Sequence, residues 1–167
     1  MQISAETIKE LREKCGAGVM DCRNALIEAE GDVNKAFDSL QVKGFQKAAK
    51  KADRVTGQGL IEAYIHTGGR VGSIIELNCE TDFVARTDEF KRLAHDVAMQ
   101  VAAMCPIYLS ETDRPEDCET EAESACLLLQ PFIKDSSKSI NDLITEVIAR
   151  TGENIRLKRF TRFELGG

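Results

Sequence analysis

Apolar residues recur at three- and four-residue spacing up to about Leu40, alternate with polar ones between about Leu60 and Cys79, and return to helical spacing from Phe90. The first stretch divides at glycines into three short helices. Ser4 caps the first, which carries Ile8 and Leu11 and stops at Cys15-Gly16-Ala17-Gly18, where glycine supplies the positive φ of a tight interhelical turn. The second carries Val19, Met20, Cys22, Ala25, Leu26 and Ala29 and ends at Gly31; Asp32 caps the third, with Val33, Ala36, Phe37 and Leu40. Helices this short are marginal alone in water, so they are expected to pack as a bundle.

Residues 60 to 79 predict a β-hairpin about a turn at Thr67-Gly68-Gly69-Arg70, one face on the core. The return strand leads into Asn78-Cys79-Glu80-Thr81-Asp82-Phe83-Val84-Ala85-Arg86, a strand-to-helix junction of the kind that presents side chains outward. Phe83 beside Asp82 is there either a core plug or a probe for a partner. Thr87 caps the clearest helix of the chain, with Phe90, Leu93, Ala94, Val97, Ala98, Val101 and Ala102 in one stripe and Pro106 at its end. His95 borders that stripe and is expected to be structural. The acidic segment Glu111 to Glu123 reads as a surface loop that merges into a helix on Ala122, Ala125, Cys126 and Leu129, stopped by Pro131. A last helix follows from Ser139 to Gly152. Residues 155 to 163 form a strand whose alternation breaks at Arg159-Phe160, a bulge signal. It is expected beside the hairpin as a third strand, since two alone are marginal. The fold class is α+β: an N-terminal helical bundle, then an antiparallel three-stranded sheet packed with helices. The domains expected are residues 1–42, a basic linker at 43–58, and an α+β core at 59–167.

Composition narrows the function classes. The chain has 167 residues, 43% hydrophobic and only 5% aromatic without tryptophan, so its core is aliphatic. A net charge of -6 and a pI near 5.1 count against a nucleic-acid coat, which needs a basic footprint. Lys43, Lys47, Lys50, Lys51 and Arg54 form a local exception, a solvated connector or a positive patch aimed at an acidic partner or RNA. The six cysteines contain no CxxC pair and are read as reduced apolar fillers. With two histidines, no metal site is expected. Neither a signal peptide nor a membrane-spanning run is evident, which predicts a cytosolic protein. Phosphate-binding loops, dinucleotide fingerprints and serine elbows are missing too. The expectation is a protein that acts by binding, with no catalytic residues and no cofactor.

Two stretches, Leu11-Arg12-Glu13-Lys14-Cys15-Gly16-Ala17-Gly18-Val19-Met20-Asp21-Cys22-Arg23-Asn24-Ala25-Leu26 and Asn78-Cys79-Glu80-Thr81-Asp82-Phe83-Val84-Ala85, closely resemble the two signatures of the bacterial translation elongation factor Ts family. Gly152-Glu153-Asn154-Ile155 followed by Arg159-Phe160 resembles the family's closing strand. The overall pattern resembles its short form, with one core subdomain. The resemblance implies a ubiquitin-associated-like N-terminal fold and a guanine-nucleotide exchange factor for elongation factor Tu. It implies that Arg12, Val19, Met20 and Arg23 contact that partner, and that Thr81, Asp82, Phe83 and Val84 enter it near its bound Mg²⁺. A single core subdomain further leads us to expect a homodimer. The competing readings are a ubiquitin-associated-type interaction adaptor, which leaves Thr81-Asp82-Phe83-Val84 without a purpose, and an RNA-binding protein, whose hairpin would need interleaved aromatics.

Overall fold

Three side-chain caps organise the helices nearest the two recognised stretches. In the computed structural model, which describes residues 3–167, the Ser4 hydroxyl accepts from the Thr7 amide and starts α1 (Ala5–Cys15). Asp32 accepts from the Asn34 and Lys35 amides and starts α3 (Val33–Ala49). Thr87 accepts from the Phe90 amide and starts α5 (Asp88–Met104). The two residues that open the expected N-terminal domain lie outside the described residues.

The chain divides into two compact units, one comprising the residues up to Arg54 with Thr145–Asn154, the other Val55–Ile144 with Ile155–Gly167. In the first, α1, α2 (Val19–Glu28) and α3 close over Leu11, Cys22, Ala25, Leu26, Ala36 and Leu40, with Ile8, Val33 and Phe37 packed around them. Gly16 takes φ 65° as the C-cap of α1 and donates its amide to the Arg12 carbonyl. The helix begun at Val33 does not stop near Leu40; it continues through the start of the basic segment to Ala49. Gly44 is buried in contact range of Ala149, and this packing offsets the intrinsic cost of a helical glycine. The turns that follow are held by the Asn154 side chain, which donates to the carbonyls of Ala52 and Arg54 at 3.2 and 2.9 Å.

In the second unit, β1 (Gln58–Ile65), β2 (Val71–Cys79) and β5 (Ile155–Glu164) form an antiparallel sheet in the order β1-β2-β5. Phe90, Leu93, Ala94, Val97, Ala98 and Val101 of α5 are buried, as are Ile75, Leu77 and Cys79 of β2, and the Ser73 hydroxyl donates to the Ala98 carbonyl of that helix. The register sets Leu60, Glu62 and Tyr64 opposite Leu77, Ile75 and Ser73. The alternating apolar set of β1, Ile61, Ala63 and Ile65, therefore lies on the other face. A period of two identifies a face without saying which neighbour covers it. The bulge on β5 falls at Lys158, because Arg159 pairs with Glu76 and Leu157 with Leu77; it comes one residue before the break seen in the alternation.

The segment after the acidic loop differs most from its expected helix. It forms one helical turn, α6 (Ala122–Ala125), a 3₁₀ turn at Leu127–Leu129, and a short antiparallel pair, β3 (Pro131–Phe132) with β4 (Asp135–Ser139). Its anchor is a buried amide pair: Gln100 Nε2 donates to Gln130 Oε1 and to the Pro131 carbonyl, while Gln100 Oε1 accepts from the Ile133 amide. Ser139 and Asp142 then start α7 (Ile140–Thr151), each side chain accepting from the other residue's amide. Gly152, at φ 76°, follows its end. No helix among the described residues is long and apolar enough to cross a membrane.

Candidate functional site

The nine residues from Asn78 to Arg86 form a braced corner between β2 and α5. At the strand exit the Cys79 thiol donates to the Thr81 carbonyl at 3.1 Å. Thr81 is extended, and its hydroxyl caps a one-turn helix, α4 (Asp82–Ala85), at the long limit of 3.5 Å from the Val84 amide. That turn is closed by backbone bonds from Ala85 to Thr81 and from Arg86 to Asp82. Thr87 ties it to the next helix, its hydroxyl donating to the Val84 carbonyl at 2.8 Å while accepting from the Phe90 amide at 3.2 Å.

One helical turn sends its side chains in opposed directions, and this separates the motif's residues. Val84 and Ala85 are buried and anchor the corner. Phe83 points the other way and is 79% exposed, the most exposed aromatic among the described residues. Seven residues on, Phe90 is fully buried. Asp82 is half-exposed and forms an ion pair with Arg86 at 2.8 Å across the turn, a contact on the solvent side that is worth at most about 1 kcal/mol. The plug-or-probe alternative for Phe83 is thus decided for exposure: the ring fills no part of the core.

A second surface lies in the first unit. Arg12, Val19, Met20 and Arg23 are all exposed, Val19 by 49% and Met20 by 60%. Met20 and Arg23 are three apart on α2 and Val19 and Arg23 four apart, so the three share a face. Arg12 sits in the last turn of α1, close enough that its charge acts on the Cys22 thiol. Two neighbouring side chains escaped the sequence reading. Asp21 pairs with Lys47 at 3.3 Å. Arg150 lies directly against the Gly16 backbone, filling the space a Cβ would need. No local pattern marks either pairing, because each partner is remote in sequence.

Among the described residues, no group of three His, Cys, Asp or Glu side chains comes together as a metal cage. A largely apolar cavity of about 350 Å³ opens between Tyr64, His66, Met99, Ile133 and Arg162; none of residues 78 to 86 lines it. His95 bonds Glu62 at 3.1 Å and meets the Tyr64 ring edge-on, a structural setting for that side chain.

The family model described as Elongation factor TS matches residues 3–125. Elongation factor Ts of Syntrophomonas wolfei subsp. wolfei is 47% identical over 194 aligned positions, covering 98% of this chain and 91% of the relative. That of Thermotoga neapolitana is 48% identical, covering 99% and 98%. That of Caldanaerobacter subterraneus subsp. tengcongensis is 47% identical, covering 98% and 97%. The aligned positions outnumber the 167 residues of this chain, so these relatives carry residues that it lacks.

Proposed function

The chain belongs to the elongation factor Ts family, and from that premise we propose that it is the guanine-nucleotide exchange factor of elongation factor Tu in translation, acting by binding and without catalytic residues of its own. The observation that carries the reading is Phe83, 79% exposed on a corner whose next two side chains, Val84 and Ala85, are buried. Asp82 and Phe83, flanked by Thr81 and Val84, enter the partner beside its bound Mg²⁺. Mg²⁺ demands near-octahedral order and is held by few protein ligands, so a small displacement of its surroundings weakens it sharply. The exposed ring is the wedge, and Asp82 brings a carboxylate next to it. Thr81 and Val84 serve as mount, one capping the turn and the other buried beneath it.

Linkage supplies the direction of the effect. A factor that binds nucleotide-free partner better than nucleotide-bound partner lowers nucleotide affinity by the same factor. A coupling of about 4 kcal/mol corresponds to roughly a thousandfold. Arg12, Val19, Met20 and Arg23 provide a second grip. The functional division is an N-terminal gripping domain at residues 1–42, a basic connector at 43–58 and a core at 59–167.

The same reading includes a cytoplasmic homodimer without direct nucleic-acid contact. Its support is the sheet face turned away from α5, where Ile61, Ile65, Ile74 and Phe163 are 60%, 66%, 44% and 63% exposed. Cross-strand register aligns Ile65, Gly72 and Phe163 in one row, and the bare Gly72 leaves room for the Ile65 side chain to lean across it. Release of labelled GDP from elongation factor Tu tests the activity: the chain accelerates release catalytically, and a rate equal to spontaneous release refutes it. Light scattering that gave a monomer mass for fully active protein would remove the dimer, and RNA retention on a filter at moderate salt would restore the RNA-binding alternative.

A further inference from the structure

The glycine-flanked turn of the N-terminal unit brings together two thiols with no role in the function proposed above. Cys15 is the last residue of α1 and is half-buried; Cys22 lies in the second turn of α2 and is fully buried. Their sulfurs are 3.7 Å apart. Both hold the same residue on its two sides: the Ala17 amide donates to Cys15 Sγ at 3.4 Å, and the Cys22 thiol faces the Ala17 carbonyl at 3.8 Å. A disulfide needs sulfurs about 2.05 Å apart, so closure requires an approach of roughly 1.7 Å with no side chain between them. Gly16 and Gly18 bracket the connecting residue, and Gly18 already has an extended backbone as the N-cap of α2. The link can therefore follow the sulfurs without breaking either helix.

We propose that Cys15 and Cys22 form a reversible thiol-disulfide modification site whose co-reactant is a low-molecular-weight disulfide of the glutathione class, and that its closure weakens the partner grip of α2. This consequence rests on the exchange-factor reading; the chemistry does not. The accessible Cys15 thiolate attacks one sulfur of the small disulfide, forming a mixed disulfide and releasing one thiolate. Cys22 then loses its proton and attacks Cys15 Sγ, releasing the second thiolate. In total, two protein thiols are oxidised and one small disulfide is reduced to two thiols, which take up the two protons. The second step is the slow one. In the reduced pair, burial first, then the hydrogen bond and charge of Cys15, push the Cys22 thiol up to about 12, with Asp21 adding to the effect and Arg12 opposing it. The mixed disulfide removes the Cys15 contribution and leaves burial, the largest cause, to keep the thiol raised. Because the attacking species is the thiolate, ring closure accelerates as pH rises.

Closure acts on function through position. Val19 precedes Cys22 by three residues and Met20 by two, in the opening turn of α2. Drawing Cys22 toward the end of α1 moves that turn, and with it the exposed Val19, Met20 and Arg23. It also disturbs the two contacts of the thiols to the Ala17 amide and carbonyl.

The test exposes the reduced full-length chain to oxidised glutathione, followed by intact mass and non-reducing peptide mapping. The expected product yields one cross-linked species joining the Cys15 and Cys22 peptides, two hydrogens lighter than the reduced pair, beside any glutathione adduct on the exposed Cys105. Cys22→Ser stops at a glutathione adduct on Cys15, and Cys15→Ser gives no product at Cys22. Glutathione on the exposed Cys105 with no Cys15–Cys22 link overturns the proposal, since the reagent was then active and the pair did not close. Binding to GDP-bound elongation factor Tu is measured on the same samples. At least tenfold weaker binding after oxidation, restored by dithiothreitol and absent in Cys15→Ser, is expected; equal binding overturns the effect on the grip. A reduced chain that does not bind that partner at all refutes the exchange-factor reading, while the mass data still decide the site.

Discussion

Replacing Phe83 by alanine separates a wedge from a core residue, because the structure assigns very different energies to the two roles. The residue is 79% exposed. A fully buried aromatic removes about 150–250 Å² from water, so the fifth already covered amounts to roughly 30–50 Å². At about 25 cal/mol per Å² the folded chain loses about 1 kcal/mol, partly offset by the better helix propensity of alanine. Covering the remaining surface in a partner is worth about 3 kcal/mol or more by the same measure, or roughly 150-fold in affinity. Urea titration therefore shows a small shift, while stopped-flow release of labelled GDP from elongation factor Tu, at limiting concentrations of the chain, slows by about two orders of magnitude. Phe90→Ala is the control: that ring is fully buried, and its removal costs about 3–5 kcal/mol of stability. Phe83→Ala that stays folded and exchanges within about threefold of the parent (under 1 kcal/mol) refutes the wedge. A stability loss like that of Phe90→Ala, with exchange per folded molecule intact, refutes the geometry.

Three further outcomes follow from particular contacts. Gly16→Ala places a Cβ at φ 65° and against Arg150, so urea titration gives a loss of about 1–2 kcal/mol or more, and a double-mutant cycle with Arg150→Ala is non-additive. Gln100→Leu leaves Gln130, the Pro131 carbonyl and the Ile133 amide without their buried partner and lowers stability by about 2–4 kcal/mol; a neutral result removes the amide pair as an anchor. The hydrogen bond from Arg159, aided by Lys158 and Asn78 and opposed by desolvation, holds the Glu76 carboxyl below its ordinary value of 4.5. Its contribution is therefore present above that value and is lost as pH falls through the lower folded value, so the thermal-midpoint gap between parent and Glu76→Gln is flat near neutrality and shrinks in acid.

What the sequence made legible, and what it did not, follows the range of the interactions involved. The caps at Ser4, Asp32 and Thr87 and the stripe from Phe90 to Ala102 depend on neighbours within four residues, and each appears where local chemistry puts it. The outward placement of Ile61 and Ile65 depends on the register with β2, and the β3–β4 pair depends on Gln100, some thirty residues earlier. Local patterning is silent about both. Gln100 itself was not marked in the sequence, since Asp88, Glu89, Lys91, Arg92, His95 and Asp96 are polar positions of the same helix. At the site, the pairing of Asp82 with Phe83 was legible but the direction of Phe83 was not. A single helical turn is too short to show a period, and only the burial of Val84 and Ala85 settles which way the ring must point.

That same burial bears on why this corner would suit the proposed wedge better than a loop tip. A side chain that displaces the surroundings of an Mg²⁺ ion experiences an equal opposing force, and a corner softer than the partner would yield first. The corner of residues 79 to 87 has a thiol donating to its entrance carbonyl, two threonine hydroxyls bonded across the turn, and two buried aliphatic side chains directly after Phe83. Letting Phe83 retreat would break several of these together, each hydrogen bond worth about 1 kcal/mol and burial of Val84 alone about 1.5 kcal/mol or more. These losses together are comparable to the coupling of about 4 kcal/mol that a thousandfold exchange effect requires. Asp82 contributes little to this stiffness, since its ion pair with Arg86 is solvent-exposed and worth under about 1 kcal/mol. Its carboxylate can leave Arg86 at small cost, and the mobile charge and the fixed ring are in this way suited to different tasks on the same turn.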